Sequence, residues 1–269
     1  MQVINDTYKF NLLQKLRFLL WIVGASLPCV SLSAQMATDT EAPPAVKVAV
    51  ASNFLMPMRF LKADFEHRAG YKIKIISAST AKLYAQILNG APFEVFLAAD
   101  KQTTQKLLEK GFAVGDSFQY AQGQLVLWTT RAKLMPEAAL KRGFFAGKFS
   151  RLAIANPKTA PYGRAAMDVL AYYSLDIARS RLVLGESVSQ AYQFTGSGNA
   201  DMGFVSLSQL KTKKQHVSYW LIPAVAYQPI QQYGIIVKQK QRNRGADAFV
   251  RYLKSSEVQA LLKAKFGYL

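Results

Sequence analysis

The chain has 269 residues, 51% hydrophobic and 19% charged, enough to build the core of a globular protein of one or two domains. Its 34 basic and 16 acidic side chains give a formal charge of +18, a field that favours small anions, anionic surfaces or nucleic acid. The basic residues run along the whole chain with no aromatic-basic platform, which argues against a dedicated nucleic-acid site, and the single cysteine, Cys29, rules out a disulfide scaffold.

At the N-terminus, Lys9, Lys15 and Arg17 precede the apolar run FLLWIVGASLPCVSL, and the small residues Ser31, Ser33 and Ala34 follow. These are the three parts of a secretory signal, expected over residues 1–34 with cleavage near Ala34. The run is short for a spanning helix, which needs about 20 apolar residues. Pro28 stands before Cys29 where a lipid-attachment box wants Gly or Ala, so the expectation is a soluble exported chain. Removing residues 1–34 takes away three basic side chains, one acidic side chain and the only thiol, and leaves a charge of +16.

Beyond the polar leader ATDTEAPPA, the pattern reads strand (46–51), helix (about 55–68), strand (72–77), helix (80–89), strand (94–98) and helix (101–110). Such alternation builds a mostly parallel sheet with helices on its faces. Gly70 and Gly90 stand where helix C-caps belong, and Asp100 is a candidate N-cap. A strand at 124–130 leads into a loop-rich stretch with Pro136, Gly143 and Gly147. A second series then follows: strand 151–157, helix 163–173, strand 181–186, helix 188–195 and strand 201–208. The last part holds an extended stretch, 218–238, and a helical region, 245–265, with Phe249, Leu253 and Leu261 on its inner face. The pattern therefore predicts two α/β lobes, with the chain crossing between them near 128–131 and near 220–224. Paired crossings make a hinge over a ligand cleft.

The chemistry concentrates between Val46 and Asp100. Ser52 and Asn53 follow the first strand directly, and Ser79 and Thr80 follow the second. The first N–H groups of a helix have no intrahelical acceptor, so an oxyanion can take them, and hydroxyl and amide side chains add neutral donors. Ser, Thr and Asn at a helix start are also ordinary N-caps. Two similar sites in successive βα units favour a ligand, because open α/β sheets bind beyond the carboxyl ends of their strands.

The pieces VAVASNF, YAQILNGAPFEVFLAAD, IANPKTAPYGRAA, ESVSQ and GFVSLSQL together resemble the periplasmic molybdate-binding proteins, over roughly Val46 to Leu269. GAPFEVFLAAD is similar to that family's G-A-P-x-D-[LV]-F-x-[SA]-A-D signature, with Glu94 where Asp is frequent. The resemblance implies an α/β, two-lobe periplasmic-binding-protein fold of type II with a hinge and an interlobe anion cleft. With the signal and the crossings read above, the expected division is a signal peptide over 1–34, one lobe from 45–129 plus 223–269, and a second from 130–222. The resemblance also implies that Ser52, Asn53, Ser79, Thr80, Tyr162 and the backbone amide of Val188 hold a tetrahedral dianion. Ser79 and Thr80 compete for the hydroxyl role. Some members place a tyrosine where this chain has Ser206, and the APYG turn moves that phenol to Tyr162.

The implied function is extracytoplasmic capture of molybdate or tungstate and delivery to the permease of an ABC importer. The expected protein is a periplasmic monomer with no cofactor, no direct metal ligand and no nucleic-acid partner. The alternatives are another oxyanion such as sulfate or thiosulfate and, more remotely, a small-molecule enzyme. Phosphate carries a proton near neutral pH and rewards a carboxylate acceptor, which neither helix start provides. His67 and His216 lack metal-ligand spacing, and no G-x-S-x-G elbow or Walker-type loop is present. Asp64 and Glu66, at i and i+2 on a helix, cannot face each other and read as solvated.

Overall fold

The computed structural model describes residues 44–131, 135–212 and 217–269. The expected signal segment over 1–34, its cleavage near Ala34, and His216 lie outside the described residues. Among the described residues no helix is long and apolar enough to cross a membrane.

The first sheet has the order β2-β1-β3-β10-β4. Strands β1 (Val46–Ala51), β2 (Ile73–Ala78) and β3 (Val95–Ala98) run parallel, joined through helices α1 (Leu55–Ala69) and α2 (Thr80–Leu88). Val46, Val48, Ala49 and Val50 are fully buried, as a strand covered on both faces requires. Gly70, with φ 71°, is the left-handed C-cap of α1, a conformation glycine adopts without penalty. Asp100 caps α3 (Lys101–Glu109) by accepting from the Thr103 N–H at 2.8 Å. Glu94, in the signature stretch, accepts from the Lys47 N–H at 2.6 Å and from Asn243 Nδ2 at 2.9 Å, so it ties the start of β1 to the C-terminal region.

Strand β4 (Ala113–Gly123) has no counterpart in the sequence reading. It pairs antiparallel with β10 (Ile230–Val237), with register shifts at Gln232/Tyr233 and between Gly234 and Ile236. Such bulges break the two-residue period that would have revealed it. The chain then crosses at Gln124, several residues before the expected point near 128–131. Strand β5 (Leu125–Thr129), expected at the end of the first lobe, belongs to the second sheet. All five of its residues are buried, and it pairs with β8 on one side and β9 on the other. That is the environment the apolar run Leu125 to Trp128 needs.

The second sheet has the order β7-β6-β8-β5-β9. It contains β6 (Leu152–Ala155), β7 (Leu182–Gly185), β8 (Met202–Ser206) and β9 (Ser218–Leu221). Helices α5 (Pro161–Tyr172) and α6 (Val188–Gly196) lie in its crossovers. Helix α4 (Glu137–Phe145) replaces the expected loop: Pro136 sits at its N-cap, Gly143 lies inside it against Met202, and Leu140 and Phe144 are buried. The tail of the expected strand 201–208 turns instead into α7 (Leu207–Lys211), held by a capping box between Ser206 and Gln209. The return crossing lies between Leu221 and Ile230.

The C-terminal region is two helices, α8 (Arg244–Leu253) and α9 (Ser256–Phe266). Phe249, Leu253, Leu262 and Phe266 pack into the same apolar cluster as β1 and α1. Leu261 lies partly buried at the margin of that cluster, and Leu262 takes the inward position. Asp64 and Glu66 are not simply solvated. Asp64 accepts from Tyr252 at 2.6 Å, and Glu66 accepts from the Ile73 N–H at 2.6 Å, so both pin α1 to its neighbours.

Candidate functional site

The carboxyl ends of three first-sheet strands and the starts of two second-sheet helices meet at one small recess. Ala51, Ser52 and Asn53 come from the end of β1, Ser79 and Thr80 from the end of β2, and Ala99 from the end of β3. Ala160, Pro161 and Tyr162 come from the start of α5, and Val188 from the start of α6. All six residues expected to touch an oxyanion therefore line the same space. No charged side chain lines it.

The helix starts differ in what they leave available. At α2, Ser79 occupies the N-cap position with extended backbone, yet its hydroxyl makes no capping bond. Thr80 Oγ1 accepts from the Ala99 N–H at 3.1 Å. One hydroxyl is thus uncommitted, and the other is anchored to the end of β3. At α6 the capping is done by Ser187, which accepts from the Gln190 N–H, so Val188 offers its first-turn amide and packs its side chain in the second core. Pro161 begins α5 at a position where a missing N–H costs nothing.

Asn53 donates its side-chain N–H to Gln232 Oε1 at 2.8 Å, and Gln232 Nε2 in turn lies 3.4 Å from the Tyr162 hydroxyl, which accepts. Gln232 is fully buried. Neither this residue nor Gly123 was singled out in the sequence. A Cβ on Gly123 would overlap the Tyr162 hydroxyl and stand 2.6 Å from Gln232 Nε2. Burial pushes the Tyr162 phenol well above its ordinary pKa, and the nearby Tyr268, Tyr227 and Tyr120 add to the effect. It stays a neutral donor through the physiological range. Ser206 points elsewhere: its hydroxyl meets Ser208 Oγ at 3.0 Å and Gln209 Oε1 at 3.1 Å, and it does not line the recess.

Further contacts join the two sheets' elements around this space, among them Ser208 Oγ donating to Asn53 O at 3.0 Å. The Ala81 N–H donates to Thr159 O at 3.2 Å, and Ser189 Oγ donates to Ser52 O at 3.1 Å. Arg164 pairs with Asp100 at 2.8 Å, and Lys82 with Glu186 at 3.4 Å. Among the described residues no group of three or more His, Cys, Asp or Glu side chains could hold a metal ion.

Two α/β lobes around an interlobe recess rimmed by helix starts form the architecture of a solute-binding protein. Residues 46–269 match the family model of bacterial extracellular solute-binding proteins, and the chain belongs to that family. Within it, the chain is 44% identical over 229 residues to the molybdate-binding protein ModA of Azotobacter vinelandii, covering 83% of this chain and 89% of that one. It is 37% identical over 226 residues to ModA of Rhodobacter capsulatus, covering 83% and 88%. Among solved structures, the periplasmic molybdate-binding protein of Azotobacter vinelandii superimposes with a TM-score of 0.77 at 38% identity, covering 83% of this chain and 98% of that chain.

Proposed function

We propose that this chain captures molybdate in the periplasm and delivers it to the permease of an ABC importer. The carrying observation is that all six expected donors line one recess without a charged side chain among its walls. Neutral donors and helix starts suit an acceptor-only dianion, whereas a buried cation would itself need a partner. The relatives support the same reading, since they are named as molybdate-binding proteins and not as enzymes. Tungstate, of nearly the same size and charge, is an equal ligand in this proposal, and the mature chain works as a monomer after loss of residues 1–34.

Ser52, Ser79 and Tyr162 supply hydroxyl hydrogens, while Asn53, Thr80 and Val188 supply amides of the helix starts. Ser79 is taken as the hydroxyl donor at α2 because its hydroxyl makes no capping bond, whereas the Ala99 N–H on Thr80 Oγ1 leaves the Thr80 hydrogen free but narrows the directions in which it can point. The lobes hinge at Gln124 and in the segment between Leu221 and Ile230. Differential scanning tests the proposal: molybdate or tungstate at about 1,000 times its Kd stabilises the fold by about 4 kcal/mol, and sulfate at the same concentration far less. No rise in melting temperature with either oxyanion, or an equal rise with sulfate, rejects it.

A further inference from the structure

Gln232 belongs to neither the oxyanion-lining residues nor the apolar core, and it is the fully buried polar side chain that joins a donor of one lobe to a donor of the other. Resting on the molybdate reading above, we infer that Gln232 is a positioning residue: by accepting from Asn53 and donating to the Tyr162 oxygen, it makes Tyr162 present its hydrogen to the oxyanion.

A phenol has one hydrogen and can donate it only once. A partner that accepts from the phenol would turn that hydrogen away from the recess and leave lone pairs facing an anion. Gln232 prevents this, because the atom it turns toward Tyr162 is Nε2, a donor. Its Oε1 is held by Asn53 Nδ2 at 2.8 Å, which fixes which end of the amide faces which neighbour. The order of donors therefore runs Asn53 to Gln232 to Tyr162 and ends on a hydrogen available to a ligand. Buried polar chains of this kind are worth most when every member is satisfied.

The backbone keeps this relay close-packed. Gln232 lies at a register shift of β10 against β4, opposite Ala121, and Gly123 closes β4 one residue before the crossing at Gln124. With no side chain, Gly123 leaves the space that the Tyr162 hydroxyl and Gln232 Nε2 occupy. The relay thus sits beside the crossing between the lobes, and Tyr162 remains in contact with a first-sheet side chain there. The selectivity consequence is that the recess holds no carboxylate, so an oxyanion that keeps a proton finds no charged acceptor for it.

Two substitutions test this in the mature protein by calorimetry with molybdate. Gln232→Leu removes the relay; affinity falls about tenfold in the parent and changes little further in a Tyr162→Phe background, where no phenolic hydrogen remains to be oriented. Gln232→Glu keeps the shape but, as a carboxylate, accepts from Tyr162. Once protonated it again offers one donor and one acceptor, so its affinity recovers toward the parent's as pH falls from about 8 to about 6. The titratable groups facing Tyr162 are Tyr268, Tyr227 and Tyr120, all held above their ordinary pKa, so only the introduced carboxyl titrates in that window. Parent-like binding by Gln232→Leu overturns the inference, as does an equal loss with and without the Tyr162 hydroxyl, or a Gln232→Glu affinity independent of pH. If the parent itself fails to bind molybdate, the proposed function fails instead, and the two failures are separately visible.

Discussion

The two lobes are built alike and furnish the recess differently. In each, three parallel strands carry the helix starts, and the crossing chain adds an antiparallel strand beside the third: β10 next to β3 in the first sheet, and β5 next to β8 in the second. Yet the first lobe offers short side chains at two strand ends, while the second offers one long phenol and a backbone amide. Short hydroxyls at a helix start are positioned by their own backbone. A phenol at the end of a long side chain is not, and here it leans on Gly123 and Gln232 from the other sheet. One lobe's chemistry is therefore local, and the other's depends on assembly.

Removing one hydroxyl from each side gives the largest expected effects and tests that contrast directly. Tyr162→Phe keeps the ring, and the lost hydrogen bond to a charged ligand, roughly 1.5–3 kcal/mol, lowers molybdate affinity about 10- to 150-fold. Ser79→Ala lowers it by a comparable factor, since its hydroxyl has no protein partner to lose. Both act mainly by speeding release, which stopped-flow displacement measures. Parent-like binding by Tyr162→Phe would reduce the tyrosine to a core aromatic, and the second lobe's contribution would then rest on the Val188 amide alone.

That contrast also explains what could be read in the chain. The pairs Ser52-Asn53 and Ser79-Thr80 announce themselves because strand, hydroxyl and helix follow one another within a few residues. Tyr162 and Val188 were placed by the resemblance of APYG and ESVSQ, since an aromatic or an apolar residue at a helix start has no local meaning of its own. Gln232 gave no signal: it lies in an extended stretch where a glutamine reads as an exposed position, and only pairing with a strand more than a hundred residues earlier buries it. The same long-range pairing hid β4, whose Gly115, Asp116 and Gly123 look like turn residues in isolation. Helix α4 was hidden by Pro136 and Gly143, which act as breakers in general, but here Pro136 stands at the N-cap and Gly143 is carried inside the helix. The position of the first crossing followed from that omission. Without β4 the first sheet lacked a strand, and β5 was given to it.

A smaller effect is expected at the rim, where the lobes touch through charge. Arg164, at the second turn of α5, pairs with Asp100, which also caps α3. The arginine is about half exposed, and exposed ion pairs are worth about 0.2–1 kcal/mol. Arg164→Gln should therefore raise the molybdate release rate about fivefold at most, with the effect shrinking as salt increases. Capture should slow with salt in parent and variant alike, because the long-range field of the basic surface steers the anion in both. A steep rise of the parent's release rate with salt would place a cation against the ligand and contradict the neutral recess.

The smallest expected effect is that of alkaline pH on binding. Burial holds the phenols of Tyr120, Tyr162 and Tyr268 above their ordinary pKa, with neighbouring tyrosines contributing at Tyr120 and Tyr162. Tyr162 thus keeps its hydrogen at least as far as an exposed tyrosine would, and molybdate affinity should be level from about pH 7 to about pH 9. Stability behaves differently above that range. An unfolded chain ionises its tyrosines near their ordinary pKa of about 10, while the folded chain resists, so the stability these phenols contribute is complete below about pH 10 and is lost as pH rises toward the folded values. Melting temperature should fall above that point while calorimetry below it shows an unchanged Kd. A fall in affinity that begins near pH 8 would mean that Tyr162 ionises more easily than its burial permits, and that the second lobe's donor is not the enclosed phenol placed between Gly123 and Gln232.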